Sequence, residues 1–205
     1  MFIALEGIHG AGKSVLASAL RELLECDDIP VIIARDQVGT ALSTRIREIN
    51  VGLDEDVDEF VESFLVAAAR RQTFVEIIRP ALAEGHHVIA ERFTDAFFAF
   101  GDARGQPKEF LDILEHYTSE GRQPDLTILL DLPADVAINR IDPDERHRVE
   151  RSDIAFHNML REAYLVRARI NAARFAIIDA SLPPADVIQL AVSVIRRFPL
   201  EQDVI

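Results

Sequence analysis

Cysteine occurs once in the 205 residues, as Cys26, so an internal disulfide is excluded, and no His/Cys spacing suggests zinc. Lysine is nearly missing too: Lys13 and Lys108 are the only two, and arginine carries the remaining positive charge. Acidic residues outnumber basic ones 35 to 22, a formal net charge of −13. That balance argues against general binding to nucleic acid or to anionic membranes, although a small polyanion needs only a few local cations. Long hydrophobic runs are absent, so neither a signal peptide nor a membrane span is expected, and the cytoplasm is the natural address. Repeats and low-complexity linkers are also missing. About half of the residues are apolar, enough for one α/β core, and residues 1–205 read as a single domain.

What is present is a regular alternation. Short apolar runs at 2–6, 30–35, 87–91, 126–131 and 174–179 read as strands of a parallel sheet buried on both faces. Helical patterns near 13–25, 41–50, 57–84, 108–120, 134–141, 151–172 and 184–197 supply the crossovers. In the 57–72 stretch, Val57, Phe60, Val61, Phe64, Leu65 and Ala68 share one face and are expected to face the core, with Val66 and Arg70 opposite. Two segments read as mobile: 101–107, punctuated by Gly and Pro, and 142–150, almost wholly charged.

Residues 7–14, GIHGAGKS, fit G-x-x-x-x-G-K-[ST], between a predicted strand and a predicted helix. Glycines at 7, 10 and 12 let backbone N–H groups converge on phosphate oxygens, with Ala11 and Val15 completing the turn. The helix N-terminus adds partial positive charge, Lys13 reaches the β- and γ-phosphates, and Ser14 is placed to ligate Mg²⁺. The loop therefore points to ATP. No N-K-x-D motif for guanine is present. A second element, HVIAERF, ends in Glu91-Arg92 at the carboxyl edge of the sheet, where open α/β folds place ligands. Glu91 suits magnesium there, and Arg92 suits a phosphoryl group.

With these residues in place, the chain resembles the thymidylate kinase family of nucleoside monophosphate kinases. The stretches that carry the likeness are FIALEGIHGAGKS, LVAAARRQ at 65–72, IRPALAEGHHVIAERF at 78–93, PDLTILLDLPADVAINRI at 124–141 and FHNMLREAYLVRA at 156–168. The resemblance implies a P-loop NTPase-type three-layer α/β/α fold with a five-stranded parallel sheet and a short charged lid. It also implies Mg²⁺-ATP as donor, a deoxynucleoside monophosphate (dTMP for the family) as acceptor, and a helix-mediated homodimer. Carried over by position, Arg70 contacts the acceptor nucleotide and Arg92 its phosphate. The lid arginines Arg140, Arg146, Arg148 and Arg151 neutralise charge on the transferred group, so Lys13, Arg92, Arg146 and Arg148 form the catalytic set.

The sequence departs from the family where the acceptor binds. His9 stands in place of an aspartate and Glu91 in place of another. Val66 replaces an aromatic residue that stacks on the base, and Ala96 and Phe97 replace small polar residues. The stretch 34–40 follows the family loop only loosely. Three readings stay open at this point: a nucleotide kinase, a deoxynucleoside kinase using Asp36 as base, or a nucleotide-binding paralogue with a degraded acceptor site.

Overall fold

Strand β1, Phe2–Glu6, is buried along its whole length. Its side chains alternate between two cores: Ile3 and Leu5 pack into one cluster, Phe2 and Ala4 into another on the opposite face. A strand covered on both sides must lie inside a layered fold. A computed structural model of the protein describes residues 1–25, 30–35, 37–52, 57–142 and 153–198. It contains a five-stranded sheet in the order β2-β3-β1-β4-β5, with every pairing parallel. The other strands are β2 (Val31–Arg35), β3 (His87–Glu91), β4 (Leu126–Asp131) and β5 (Phe175–Asp179). β2 and β5 each start one residue later than expected. For β2 the reason is Pro30, which has no N–H for the ladder and only accepts from His87 N–H.

Helices flank this sheet: α1 (Lys13–Glu25), α2 (Ala41–Gly52), α3 (Glu59–Thr73), α4 (Arg79–Ala83), α5 (Asp95–Arg104) and α6 (Lys108–Ser119) come first. α7 (Ala134–Ile138), α8 (Ile154–Ile170) and α9 (Pro184–Arg197) complete the set among the described residues. The single helix expected over 57–84 is two α-helical pieces joined by a π-helical turn, Phe74–Ile78. Pro80 lies just beyond that turn. It cannot donate to the carbonyl one turn back, and the wider turn absorbs the mismatch. The patterns at 134–141 and 151–172 shrink to α7 and α8.

Two expectations are overturned. The first concerns 101–107: residues 101–104 are the last turn of α5, closed by Gly105 in the left-handed conformation (φ 72°). Only Gly105, Gln106 and Pro107 connect α5 to α6. Gln106 is buried, and its amide donates to the Glu59 carbonyl and the Ser63 hydroxyl, both at 3.0 Å. The helix is held at its start by Asp95, wholly buried between Arg167 and Arg174, which approach its Oδ1 to 2.8 and 2.6 Å. Burial alone would raise the Asp95 pKa, but these two guanidinium groups outweigh it and hold the carboxyl below its ordinary range.

The second is the orientation of α3. Phe60, Val61, Phe64 and Ala68 point to solvent, and Glu62, Ala69, Arg70 and Thr73 are the buried residues. The helix turns its polar stripe inward because partners wait there: Arg104 approaches Glu62 to 3.1 Å, with both side chains nearly buried. The outward aromatic stripe is half-covered by Phe110 of α6, edge-to-face with Phe60 and Phe64 at 5.0 and 5.4 Å. The charged segment 142–150 lies outside the described residues beyond Asp142, and so do Arg146, Arg148, Arg151, Asp36 and Cys26.

Candidate active site

The carboxyl ends of β1 and β3 lie side by side, with Leu5 opposite Glu91 in the parallel register. The chain leaves β1 through the Gly-rich turn and leaves β3 through Glu91-Arg92, so both segments open on one edge. There they border a cavity of about 780 Å³.

On one wall is the turn itself. Gly10 has φ 80° and packs so tightly on α7 that a Cβ would stand 2.1 Å from the Ala137 carbonyl oxygen. Gly12 has φ 90° with nothing near its missing Cβ, which leaves the backbone open toward the cavity. His9, Gly10, Gly12, Lys13, Ser14 and Val15 line the space, while Gly7 and Ala11 are buried and do not. The Lys13 ammonium donates to the carbonyls of Gly7 and Ile8 at 3.1 and 2.9 Å, folded over its own loop. The His9 ring stands edge-on to Phe100, with centroids 6.4 Å apart.

Ser14 and Glu91 meet at the mouth of the loop: the Ser14 hydroxyl donates to Glu91 Oε2 at 2.5 Å. The other Glu91 oxygen accepts from Arg35 Nε at 3.1 Å. A hydroxyl and a carboxylate in contact are a hard-oxygen pair of the sort Mg²⁺ accepts. Among the described residues no three His, Cys, Asp or Glu side chains converge to hold a metal by themselves. The pair therefore fits an ion that takes its remaining ligands from water and phosphate, which is the habit of magnesium at nucleotide sites. Arg35 was not singled out from the sequence, because its partner is 56 residues away.

The far wall carries the arginines. Val66 and Arg70, one turn apart on α3, both line the cavity. The Arg70 guanidinium lies over the Phe97 ring at 4.4 Å from its centroid. Arg92 follows β3 in the left-handed conformation (φ 69°), which a non-glycine residue adopts at a cost of about 1 kcal/mol. Its N–H continues the ladder to Leu5, and its Nη1 donates to the Tyr164 hydroxyl at 2.7 Å. Nη2 is buried with no hydrogen-bond partner among the described residues. Tyr164 in turn donates to Glu6 Oε2 at 3.0 Å, and Glu6 Oε1 accepts from the Phe93 N–H at 2.7 Å. Burial lifts the Glu6 carboxyl to about 7 despite the opposing pull of Arg92, and pushes the Tyr164 hydroxyl well up.

His9, Val66, Arg70, Arg92 and Phe97 thus border the same space as Lys13, Ser14 and Glu91. Arg140 does not join them. It is exposed and donates to the Ala180 carbonyl at 2.9 Å. Sequence reasoning missed Glu6 and Tyr164; the available signal was a carboxylate ending an otherwise apolar buried strand.

Comparison with known proteins points to one family. The family model described as thymidylate kinase matches residues 5–191. A thymidylate kinase of Neisseria meningitidis is 40% identical over 183 residues, 88% of this chain and 89% of its own. Those of Pseudomonas savastanoi (40% over 190 residues, 91% and 90% covered) and Chromobacterium violaceum (41% over 191 residues, 91% and 89% covered) are similarly related.

Proposed function

This chain belongs to the thymidylate kinase family, and on that premise we propose that it transfers the γ-phosphoryl group of ATP to the phosphate of dTMP, releasing ADP and dTDP. The observation that carries the reading is that the Gly-rich turn and two arginines of the opposite wall border one cavity. An acceptor phosphate held by Arg92 and Arg70 then faces the terminal phosphate cradled by the turn. An oxygen of the acceptor phosphate attacks the γ-phosphorus in line, and the bond to the β-phosphate oxygen breaks as ADP departs. Such a transfer needs positioned cations rather than covalent help from the protein. A phosphate acceptor also needs no general base, which a nucleoside hydroxyl would. The two arginines therefore favour a monophosphate over a free nucleoside.

In this reading Gly7, Gly10, Ala11, Gly12, Lys13, Ser14 and Val15 form the ATP cradle, with Lys13 on the β- and γ-phosphates. Ser14 and Glu91 hold Mg²⁺, which when bound screens the phosphate charge. Val66 and Phe97 flank the base, and His9 hydrogen-bonds near the sugar as an uncharged ring. Arg146 and Arg148 complete the charge around the transferred group.

Two further assignments go with it. The exposed aromatic and aliphatic residues Phe60, Phe64, Ile113 and Tyr117 on α3 and α6 support a homodimer built across these helices. We also assign it to the cytoplasm without nucleic acid or membrane partners, on the net charge of −13; no described helix is long and apolar enough to cross a membrane. ADP release from Mg²⁺-ATP, measured with a panel of nucleosides and nucleoside monophosphates, tests the proposal. dTMP is expected to be the preferred acceptor. Preference for a free nucleoside, or no turnover with any member, would refute it.

A further inference from the structure

Glu6 is the last residue of β1, fully buried at the end of a strand whose other four side chains are apolar. A carboxylate in such a place is expensive unless every oxygen is engaged. Both are: Oε1 accepts from the Phe93 N–H at 2.7 Å, and Oε2 accepts from the Tyr164 hydroxyl at 3.0 Å. The Phe93 bond needs only an acceptor, and the contact with Tyr164 is made by the carboxylate as acceptor or by the protonated carboxyl as donor, so both oxygens stay engaged in either form. Tyr164, also buried, stands between Glu6 and Arg92 and takes the Nη1 hydrogen bond at 2.7 Å.

The spacer matters. A carboxylate paired directly with Arg92 would occupy the guanidinium fork and neutralise its charge beside the acceptor. One hydroxyl away, Glu6 orients the arginine through a neutral group, and the edge carrying Nη2 keeps its hydrogen-bonding capacity. That edge is buried with no partner among the described residues. The Phe93 N–H held by Glu6 belongs to the residue after Arg92, so the same carboxylate also restrains the left-handed backbone at residue 92 (φ 69°). Side chain and main chain of Arg92 are thus fixed by one carboxyl group, which sits immediately before the Gly-rich turn.

We propose that Glu6 and Tyr164 are positioning residues that hold the Arg92 guanidinium in the cavity wall, where the acceptor phosphate binds. This rests on the reading above, in which Arg92 receives that phosphate. It assigns Glu6 and Tyr164 no contact with substrate and no proton transfer. Their effect is confined to the acceptor side, because their hydrogen bonds run to Arg92 and its neighbour and not to the Gly-rich turn.

The test is a set of steady-state measurements on the full chain, with wild type, Tyr164→Phe, Glu6→Gln, Arg92→Ala and the double variant Tyr164→Phe/Arg92→Ala. dTMP binding by calorimetry accompanies the kinetics. Tyr164→Phe is expected to raise KM and Kd for dTMP roughly tenfold, the scale of one buried hydrogen bond, while KM for ATP stays within about twofold. Added to Arg92→Ala, the same change should have no further effect on dTMP, because its route of action is already gone. A merely structural tyrosine would instead weaken both substrates, or act equally in both backgrounds, and either result overturns the positioning role. Should Tyr164→Phe fail to fold, Glu6→Gln, which keeps the volume and one acceptor, carries the identical test. A wild type that neither binds nor turns over dTMP refutes the acceptor assignment itself. A working wild type beside unaffected variants refutes only the role of Glu6 and Tyr164.

Discussion

The guanidinium of Arg70 lies 4.4 Å from the centroid of the Phe97 ring, and both side chains are almost completely buried. One residue comes from α3 and the other from α5, so the contact spans the cavity wall between two helices. It ties a residue that departs from the family pattern to one that keeps it. Replacing Phe97 by Leu preserves an apolar side chain but removes the ring face beneath the cation. KM for dTMP is expected to rise between about threefold and thirtyfold, the range of a partly desolvated cation–π contact, with KM for ATP unchanged. Unaltered dTMP kinetics would mean that Arg70 is held by its other contacts.

Lys13→Ala should remove the ammonium that lies over the Gly7 and Ile8 carbonyls while disturbing little packing. The expected loss in kcat is on the order of a hundredfold to a thousandfold, as for other positioned transition-state donors. Thermal unfolding should remain within a few degrees of wild type. A folded variant with near-normal turnover would show that the turn does not cradle the reacting phosphates.

His9 borders the cavity with its ring edge-on to Phe100. If it serves the acceptor sugar as a neutral hydrogen-bonding group, His9→Ala should lower kcat/KM for dTMP by about tenfold, the loss of one such bond. His9→Asp should restore or exceed the wild-type value, since aspartate is the residue the family pattern places there. Turnover of the three proteins between pH 5.5 and 8.5 checks this; three superimposable profiles would make His9 a bystander.

The Glu6 carboxyl, raised to about 7 in the folded protein from an ordinary 4.5, makes stability fall with pH. Below 4.5 the group is protonated in both states and carries no penalty. Between 4.5 and 7 the unfolded chain releases its proton first, so folding weakens progressively, by up to about 3 kcal/mol once pH exceeds 7. Burial is the main cause; Arg92 and Arg70 oppose it, and Asp95 reinforces it. The neighbouring Tyr164 stays protonated throughout this range, its own pKa being raised. Urea unfolding of wild type and Glu6→Gln at pH 5, 6, 7 and 8 should give difference curves that move in favour of the variant as pH rises. A constant difference would place the Glu6 titration elsewhere.

All five strands were legible because strands buried on both faces read as plain apolar runs, and GIHGAGKS could be placed because its flanking strand and helix were visible too. What stayed hidden depends on partners far apart in the chain. The last turn of α5 was read as part of a mobile segment because Gly101, Gly105 and Pro107 punctuate 101–107, whereas the helix is anchored at Asp95 by Arg174, 79 residues on. The buried face of α3 was misjudged because hydrophobic periodicity assumes an apolar interior, and here Glu62 and Arg70 face a polar cavity closed by Arg104. Arg92 was assigned from its place after β3, but Tyr164 and Glu6 lie 158 residues from one another, and no local pattern joins them.

The close seat of Gly10 on Ala137 has a mechanical meaning. The Gly-rich turn and α7 share one wall with no slack. A methyl group at position 10 would have to drive the two apart. The tip of the turn therefore works as a spacer gauge: the absence of a single side chain sets how near α7 stands to the Gly-rich turn.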